Sequence, residues 1–269
     1  MRGLFAGIDR AVVAKAVRNP RRALLRLVLR SRLAGQDVET DRRVLLELLS
    51  SRYQVDGEAL GLEYRQSAFR EWFLRRRVEL ARHPGPYRHG TTGQFGCEAL
   101  YLLVRAARPR TIVETGVLYG ASSAHLLAAL ARNGEGTLYS SEIGRRRDEP
   151  DHEYFVPDEL RDRWRLVIGD SRRELPGLME RCAPVDMFYH DSLHTYEHMV
   201  WEFGTALPHL GIGGLLASDD VLNPTDVQRI FRPGPFHSFC GERRIPFQTF
   251  QNLGLAWPEL AAAAHERAA

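Results

Sequence analysis

The sequence is poor in cysteine and has no long apolar run. Its three cysteines, in 269 residues, stand singly and outside the C-x-x-C spacing of a zinc or redox site. Their odd number argues against a disulfide framework, so we expect a reducing, cytoplasmic environment. Charged residues interrupt the N-terminal apolar stretch before a signal-peptide core could form, and no later run has the length of a membrane span. Internal repeats and low-complexity tracts are also missing.

Net charge is small, and its basic part is concentrated at the N-terminus. Residues 1–35 contain nine Lys or Arg against one Asp, in a chain whose net charge is +3, so the remainder is net negative. We therefore expect no nucleic-acid partner.

The basic N-terminal part contains a regular arginine pattern beside a leucine-rich face. Arginine recurs every four residues, at Arg18, Arg22, Arg26 and Arg30. This pattern is typical of a solvated stripe on a packing helix, with binding to a membrane surface or an anionic partner as the alternative.

Helical periodicity predicts an N-terminal extension over residues 1–84, which Pro84-Gly85-Pro86 terminates. We expect this extension to serve as a lid or as an oligomer contact, in a homo-oligomer.

Residues 85–269 are predicted to form the second domain, where β-rich runs alternate with helical patterns. These runs are TIVET at 111–115, TLYSSE at 137–142, WRLVIG at 164–169, VDMFYHD at 185–191 and GLLASDD at 214–220. Such alternation predicts an α/β fold with a doubly wound, mostly parallel seven-stranded sheet, closed by an antiparallel hairpin from PFQTFQ and LGLAWP.

A glycine-containing turn follows the first predicted strand. It reads Glu114-Thr-Gly116-Val-Leu-Tyr-Gly120-Ala-Ser122-Ser123 and leads into a helix. Glycine lets the backbone turn sharply near a ligand, and the free N–H groups at a helix start can bind polar groups. The turn is not the dinucleotide G-x-G-x-x-G, because Glu114 stands where that pattern has its first glycine.

Acids also end the second and third predicted strands. Glu142 is placed to accept both hydroxyls of a ribose, and Asp170 or Ser171 to bind an adenine edge. Taken singly, Glu142 could be a surface acid and Gly169-Asp170 an ordinary turn. Their occurrence at successive strand ends predicts a nucleoside-bearing cofactor in the crevice above the sheet.

The stretch FYHDSLHTYEH, residues 188–198, contains three histidines and follows the start of the fourth predicted strand. Neighbouring strands four and five would bring Asp191 together with Asp219 and Asp220 at their carboxyl ends. Both members of that aspartate pair can face one ion only if the strand has ended before them. Three carboxylates form an oxygen-only site that suits Mg²⁺, or Mn²⁺ in its place. His194 is then the candidate general base.

Other interpretations of the histidines remain open. His194 and His198 form H-x-x-x-H, which on a helix could bind zinc together with Asp191, although no H-E-x-x-H glutamate accompanies them. His194 could also be an ordinary hydrogen-bonding residue. His190 alternates away from Asp191 along the strand, so structural packing is its expected role.

Three segments, VETGVLYGASS, DMFYHDSLHTYE and LGIGGLLASDD, resemble those of class I S-adenosylmethionine-dependent methyltransferases. More narrowly, they are similar to metal-dependent O-methyltransferases of the macrocin and mycinamicin sugar-modifying group, with cephalosporin-hydroxylase-like proteins in the same neighbourhood. The resemblance covers about residues 88–258. Catechol O-methyltransferase, a more distant relative of that group, has an amide at the position of Asp220 and a lysine at that of His194. At these two positions the chain therefore resembles the sugar-modifying branch more than the catechol enzyme.

The resemblance implies a role for each matching residue. It assigns Gly116, Gly120 and Ser122 to the methionine part of the cofactor, Glu114 to its amino group, Glu142 to the ribose, Asp170 and Ser171 to the adenine, Asp191, Asp219 and Asp220 to the metal, and His194 to proton removal. The implied cofactors are S-adenosylmethionine and Mg²⁺ or Mn²⁺. The implied reaction is methylation of a vicinal diol, on a deoxysugar of an antibiotic-like secondary metabolite.

The expected acceptor is a small molecule, either a glycosylated natural product or a nucleotide-sugar. A metal-dependent hydroxylase or oxygenase of the cephalosporin-hydroxylase-like type is the alternative function. Against it, non-haem Fe(II) oxygenases usually need two histidines and one carboxylate, whereas the predicted ligands are all carboxylates.

Overall fold

A computed structural model of the protein describes residues 36–81, 92–144, 155–222 and 232–258, together with Val28, which is helical. The arginine-striped helix predicted around residues 18–30 otherwise lies outside the described residues. Among the helices that are described, none is both long enough and apolar enough to cross a bilayer.

The described parts of the chain form eight α-helices and seven strands. The helices are α1 (Val38–Tyr53), α2 (Gly57–Gln66), α3 (Ala68–Ala81), α4 (Gln94–Ala107), α5 (Ala121–Asn133), α6 (Ser171–Cys182), α7 (Tyr196–Ala206) and α8 (Pro235–Glu242). The strands are β1 (Thr111–Thr115), β2 (Thr137–Glu142), β3 (Trp164–Ile168), β4 (Val185–His190), β5 (Leu210–Ser218), β6 (Phe247–Phe250) and β7 (Leu253–Ala256). Short 3₁₀ turns, Asp158–Arg163 and Leu207–His209, precede β3 and β5.

The seven strands form a single sheet in the order β3-β2-β1-β4-β5-β7-β6. All neighbouring pairs from β3 to β5 are parallel, and β7 runs antiparallel to both β5 and β6. The predicted doubly wound, mostly parallel sheet with its closing hairpin is therefore confirmed. Its chain order reverses between β1 and β4, and the crevice at such a switch point is where this kind of sheet binds ligands.

The N-terminal helices share a core with the sheet. Leu45 and Leu49 of α1 and Tyr64 of α2 are almost fully buried in the same hydrophobic cluster as Ile112 of β1. Charged contacts add to this packing, since Arg42 makes two hydrogen bonds to Glu98 of α4, at 2.9 and 3.0 Å. Helices α1 and α2 thus cover the sheet face lined by α4 and α5. The domain boundary predicted at residue 84 lies outside the described residues.

Candidate active site

The glycine turn after β1 packs directly on the turn after β4. Gly116 has a φ of +82°, and a Cβ at this position would lie 2.1 Å from the carbonyl oxygen of Asp191. Immediately before it, the carbonyl of Thr115 accepts a 2.8 Å hydrogen bond from the amide of Asp191. Gly120, also at φ +82°, then begins α5. At Gly116, only glycine allows both this φ and the close contact with the backbone of Asp191. The turn after β1 can therefore pack on the turn after β4.

Glu114 is fully buried beneath the glycine turn. Its carboxylate accepts hydrogen bonds from the hydroxyls of Ser122 at 2.6 Å, Ser123 at 2.7 Å and Ser140 at 2.7 Å. Burial raises the pKa of Glu114, and the three hydroxyls oppose that shift. Glu114 thereby joins the start of α5 to β2, while its predicted contact with a cofactor amino group stays a prediction.

Glu142 reaches from the end of β2 into the same turn. One of its carboxylate oxygens accepts the backbone amides of Val117 and Leu118, each at 2.7 Å. Leu118 lies in the left-handed region, with a φ of +49°. Glu142 therefore stabilises an otherwise unfavourable turn and stands beside the glycine residues, at the strand end where the sequence predicts a ribose contact.

The two residues predicted to bind adenine lie at the start of α6. Asp170 is the N-cap of that helix, and its carboxylate accepts the amide of Arg172 at 2.9 Å. The hydroxyl of Ser171 lies 3.1 Å from Nε2 of His198 at the start of α7. Both residues follow β3 at the carboxyl edge of the sheet, and their role toward adenine remains a prediction.

The three predicted metal-ligating aspartates follow β4 and β5, which are adjacent. Strand β5 ends at Ser218, and the amide of Asp219 donates to the carbonyl of His190 at 2.9 Å. Asp220 then adopts a left-handed φ of +57° and accepts a 2.5 Å hydrogen bond from the side-chain amide of Asn252. The chain has thus left the strand before the aspartate pair, as the sequence analysis requires for both side chains to face one ion.

Burial and mutual repulsion both act on these aspartates. Burial, followed by the repulsion of Asp219, raises the pKa of Asp191 well above its ordinary value, although the Thr92 hydroxyl donates to its Oδ2 at 2.9 Å. Burial and the neighbouring Asp220 raise the pKa of Asp219 to about 7. Carboxylates that repel each other in a partly dry site are stabilised by a bound cation.

His194 lies between two of the aspartates. Its Nε2 is 3.5 Å from Oδ1 of Asp191, and its Nδ1 is 3.4 Å from Oδ2 of Asp220. Burial and, after it, the neighbouring His190 lower the pKa of His194. This favours the neutral form of the imidazole.

The donor set therefore suits a hard divalent cation, but its present arrangement is not that of a formed metal site. Within the ranges described above, no three His, Cys, Asp or Glu side chains are grouped as metal ligands. His194 lies between Asp191 and Asp220, within 3.5 Å of a carboxylate oxygen of each. Oxygen-only donors of this number match Mg²⁺ and Mn²⁺ rather than a softer metal.

Glu202 of α7 is a central residue that the sequence analysis missed. It is fully buried, and its carboxylate accepts hydrogen bonds from Thr115, His190, Ser192 and His198. Burial alone would raise the pKa of Glu202, but the hydrogen bonds from His190 and His198 outweigh it and hold that pKa well below its ordinary value. Two of the three histidines in residues 188–198 thus bind this glutamate.

That arrangement answers the open questions about the histidines. His190 is fully buried and packs against Glu202, as a packing role would require. His198 donates toward Glu202 at 2.8 Å, whereas His194 faces the aspartates, so the two do not point at a common ion. The geometry gives the zinc interpretation no support.

Thr92 and Asn252 were also missed, and their signals were weak. Thr92 precedes α4 and has no distinguishing neighbours in sequence, and Asn252 looks like an ordinary turn residue between β6 and β7. Glu202 carried a better signal, because it stands four residues after His198, which places both on one helix face, and next to the apolar Phe203. A buried acid at that spacing indicates a specific partner.

Comparison with known protein families covers this region. Residues 113–221 match the family model described as "Methyltransferase domain". This segment is similar to a methyltransferase domain. The match runs from β1 to just beyond Asp220, so it includes the glycine turn, Glu142, Asp191 and His194. The predicted enzyme class, a methyltransferase, is thereby confirmed.

Solved structures show the same fold. Cofactor-bound Rv0187 from MTB aligns with a TM-score of 0.51 and 19% identity, over 76% of this chain and 96% of that one. The O-methyltransferase TomG from Streptomyces achromogenes, involved in tomaymycin synthesis and solved in complex with SAM, aligns with a TM-score of 0.50 and 18% identity, over 71% and 90%. At these identities the likeness establishes the fold alone.

A weaker likeness involves MycE from the mycinamycin biosynthetic pathway, solved with Mg, SAH and mycinamycin VI. Its TM-score is 0.49 at 17% identity, over 72% of this chain and 55% of that chain. This chain therefore spans about half the length of MycE, and the likeness is too low to bear on substrate. No curated protein sequence matches the chain.

Proposed function

We propose that the protein is an S-adenosylmethionine-dependent O-methyltransferase that uses Mg²⁺, or Mn²⁺, to methylate one hydroxyl of a vicinal diol. The acceptor we propose is a deoxysugar of a secondary metabolite, presented as a glycosylated natural product or a nucleotide-sugar. The observation that carries the proposal is the convergence of Asp191, Asp219, Asp220 and His194 beside the glycine turn of the methyltransferase domain.

For the cofactor, we propose that the glycine turn holds the methionine part and that Glu142 holds the ribose. Gly116 and Gly120 both have a φ of +82°, which glycine adopts without strain and which lets the backbone turn sharply at the crevice. Glu142 already stands beside this turn, and a carboxylate at the end of the second strand is placed to accept two ribose hydroxyls. Asp170 and Ser171 stand at the next strand end, where adenine would lie.

For the metal, Asp191, Asp219 and Asp220 would supply the ligands. A divalent cation held there would lower the pKa of an acceptor hydroxyl and relieve the mutual repulsion that adds to burial in raising the pKa of Asp191 and Asp219. His194, in contact with two of these carboxylates, would take the proton from that hydroxyl. The remaining contribution of the protein is to align the hydroxyl with the methyl group of the sulfonium.

The diol part of the proposal follows from the same donor set. A cation held by three carboxylates keeps coordination positions free, and two neighbouring oxygens of one acceptor can fill them together. The assignment to a sugar derives from the sequence resemblance to macrocin- and mycinamicin-type enzymes.

The hydroxylase alternative is not favoured. It requires two histidines and one carboxylate around a single iron. His190 and His198 both hydrogen-bond to Glu202 instead, and His194 is the remaining histidine of the stretch. The family match to a methyltransferase domain points the same way.

The test is a product assay. The protein is incubated with S-adenosylmethionine and Mg²⁺ and a panel of nucleotide-sugars and glycosylated natural products, and mass spectrometry detects addition of a methyl group. We expect a singly methylated product from an acceptor with adjacent hydroxyls, loss of activity on EDTA treatment, and recovery with Mg²⁺ or Mn²⁺.

Asp219→Asn and Glu180→Gln provide a matched pair, since both replace a carboxylate by the amide of the same length but Glu180 is exposed on α6. The proposal expects Mg²⁺ to raise the Tm of the parent and of Glu180→Gln, and to have little effect on Asp219→Asn. Full activity after EDTA treatment would exclude the metal role. Failure of calorimetry to detect S-adenosylhomocysteine binding would exclude the cofactor.

A further inference from the structure

The carboxylate of Glu202 is saturated by four donors from three parts of the chain. One oxygen accepts from the Thr115 hydroxyl at 2.5 Å and from Nδ1 of His190 at 2.6 Å. The other accepts from the Ser192 hydroxyl and from Nε2 of His198, both at 2.8 Å. An ionised carboxylate has about four lone-pair positions, so every one of them is used.

Two of those donors flank Asp191. His190 and Ser192 are its immediate neighbours, and in extended chain alternate side chains point to opposite sides. Since both neighbours are directed to Glu202 in the interior, Asp191 is directed the other way, toward Thr92 and His194 in the crevice. The orientation of Asp191 is therefore fixed from both sides by one buried carboxylate.

The carboxylate of Glu202 also binds His198, which follows the loop of residues 191–195. His198 lies in the first turn of α7, which begins after the N-cap Thr195. Residues 191–195, including His194, thus form a short loop whose two ends are bound to Glu202. A loop closed in this way has few conformations open to it, which keeps His194 near the aspartates.

Thr115 connects Glu202 to the glycine turn that follows β1. It is the last residue of β1 and directly precedes Gly116, whose turn packs against the backbone of Asp191. Through its Thr115 hydrogen bond, Glu202 joins the turn that would carry the cofactor to the loop that carries the base.

We propose that Glu202 is a positioning residue, which fixes the loop of residues 191–195 so that Asp191 and His194 face the acceptor. The inference rests on the proposed function for its catalytic meaning. Glu202 touches neither the acceptor nor the cofactor in this role. A carboxylate is needed because an amide in the same place has one accepting oxygen, and its NH₂ group would face two donors.

The first test compares Glu202→Gln with Glu197→Gln, which makes the same chemical change at an exposed position of the same helix. We expect kcat for methyl transfer to fall about 10–100-fold in Glu202→Gln, as is typical when a residue supporting a metal ligand is lost. The KM for S-adenosylmethionine and the affinity for S-adenosylhomocysteine should stay near the parent values. Glu197→Gln should match the parent in all of these.

A second measurement is independent of activity. Amide hydrogen exchange, followed by mass spectrometry of peptides covering residues 190–196, should be about tenfold faster in Glu202→Gln than in the parent, while peptides of α5 exchange as before. If the parent shows no methyl transfer, the proposed function fails, and the exchange data still decide whether Glu202 fixes the loop.

A third variant covers the case in which Glu202→Gln does not fold. Ser192→Ala removes one hydrogen bond beside Asp191, and it should lower kcat by a smaller factor without changing cofactor affinity. Where both variants fold, their combination should lower kcat by less than the product of the two effects, because they act through one contact network. Unchanged exchange in residues 190–196, or an equal loss of cofactor affinity and kcat, would overturn the proposal.

Discussion

At the scale of single residues, the site depends on where the chain leaves its strands. Asp191 follows β4, and Asp219 and Asp220 follow β5, so backbone pairing between these strands sets the distance between the carboxylates. Asp220 reaches its position through a left-handed φ, which aspartate tolerates better than most residues. His194 then contacts Asp191 and Asp220 from the loop between β4 and α7.

This placement predicts the effect of His194→Ala. If His194 removes the proton of the acceptor hydroxyl, kcat should fall by ~10²–10⁴ while the affinity for S-adenosylhomocysteine stays at the parent value. Steady-state kinetics and calorimetry measure the two quantities. His209→Ala is the control, because His209 lies just before β5 at the opposite edge of the sheet. A parental kcat in His194→Ala would contradict the base assignment.

At the scale of elements, α5 is fastened to the N-terminal helices through a buried histidine. His125 of α5 is fully buried, with Nδ1 2.8 Å from the carbonyl of Ala121 and Nε2 3.0 Å from the hydroxyl of Tyr64 in α2. The rings of Phe69 and Phe73 of α3 contact it edge-on, at centroid distances of 4.9 and 4.4 Å. The helix that follows the glycine turn is thereby held against α2 and α3.

Burial lowers the pKa of His125 from 6.5 to about 4, which predicts a loss of stability in mild acid. Between these two pH values the unfolded chain binds a proton that the folded protein does not, so stability falls as the pH falls. Once the pH is below both pKa values, this group lowers the free energy of unfolding by about 3 kcal/mol, at about 1.4 kcal/mol per pKa unit.

Urea unfolding at pH 7 and pH 5 measures this effect. His125→Gln keeps a donor for Ala121 and an acceptor for Tyr64 but cannot titrate, so its stability should change less between the two pH values than that of the parent. Equal changes in the two proteins would show that His125 is not the group responsible.

At the scale of the whole molecule, the core extends across the predicted domain boundary. Leu45, Leu49, Tyr64 and Phe73 are buried in clusters that include residues of α4 and α5. Each such side chain contributes about 1.5–3 kcal/mol by burial. Their sum is comparable to the net stability of a typical domain.

Two truncations test this view of the molecule. Removal of residues 1–35 should leave a cooperatively folding protein, and we expect it to change the mass in solution or to raise the KM for the acceptor, as a lid or oligomer contact would. Removal of residues 1–81 should prevent folding, because it exposes the apolar faces of α4 and α5. Circular dichroism melting and light scattering measure both. A folded protein lacking residues 1–81 would show that the N-terminal helices are dispensable to the core.

The strands and the glycine turn were predictable because their signals are local. TIVET and TLYSSE coincide with β1 and β2, since apolar and β-branched runs between turn residues need no distant partner to be recognised. The meeting of Asp191 with Asp219 and Asp220 followed from a general rule of parallel sheets, in which neighbouring strands end at the same edge. The sequence by itself therefore determined the fold class and the acids that converge.

The tertiary structure alone decided which polar groups pair inside the protein. Glu202 binds partners 87, 12, 10 and 4 positions away in the chain, and periodicity carries no record of such distances. Similarly, the leucines of α1 predict an apolar face but do not name the surface that covers it. Hydrophobic patterning reports that a residue is buried, whereas the choice of partner depends on how the elements pack, which is why Glu202 and the shared core became visible only in three dimensions.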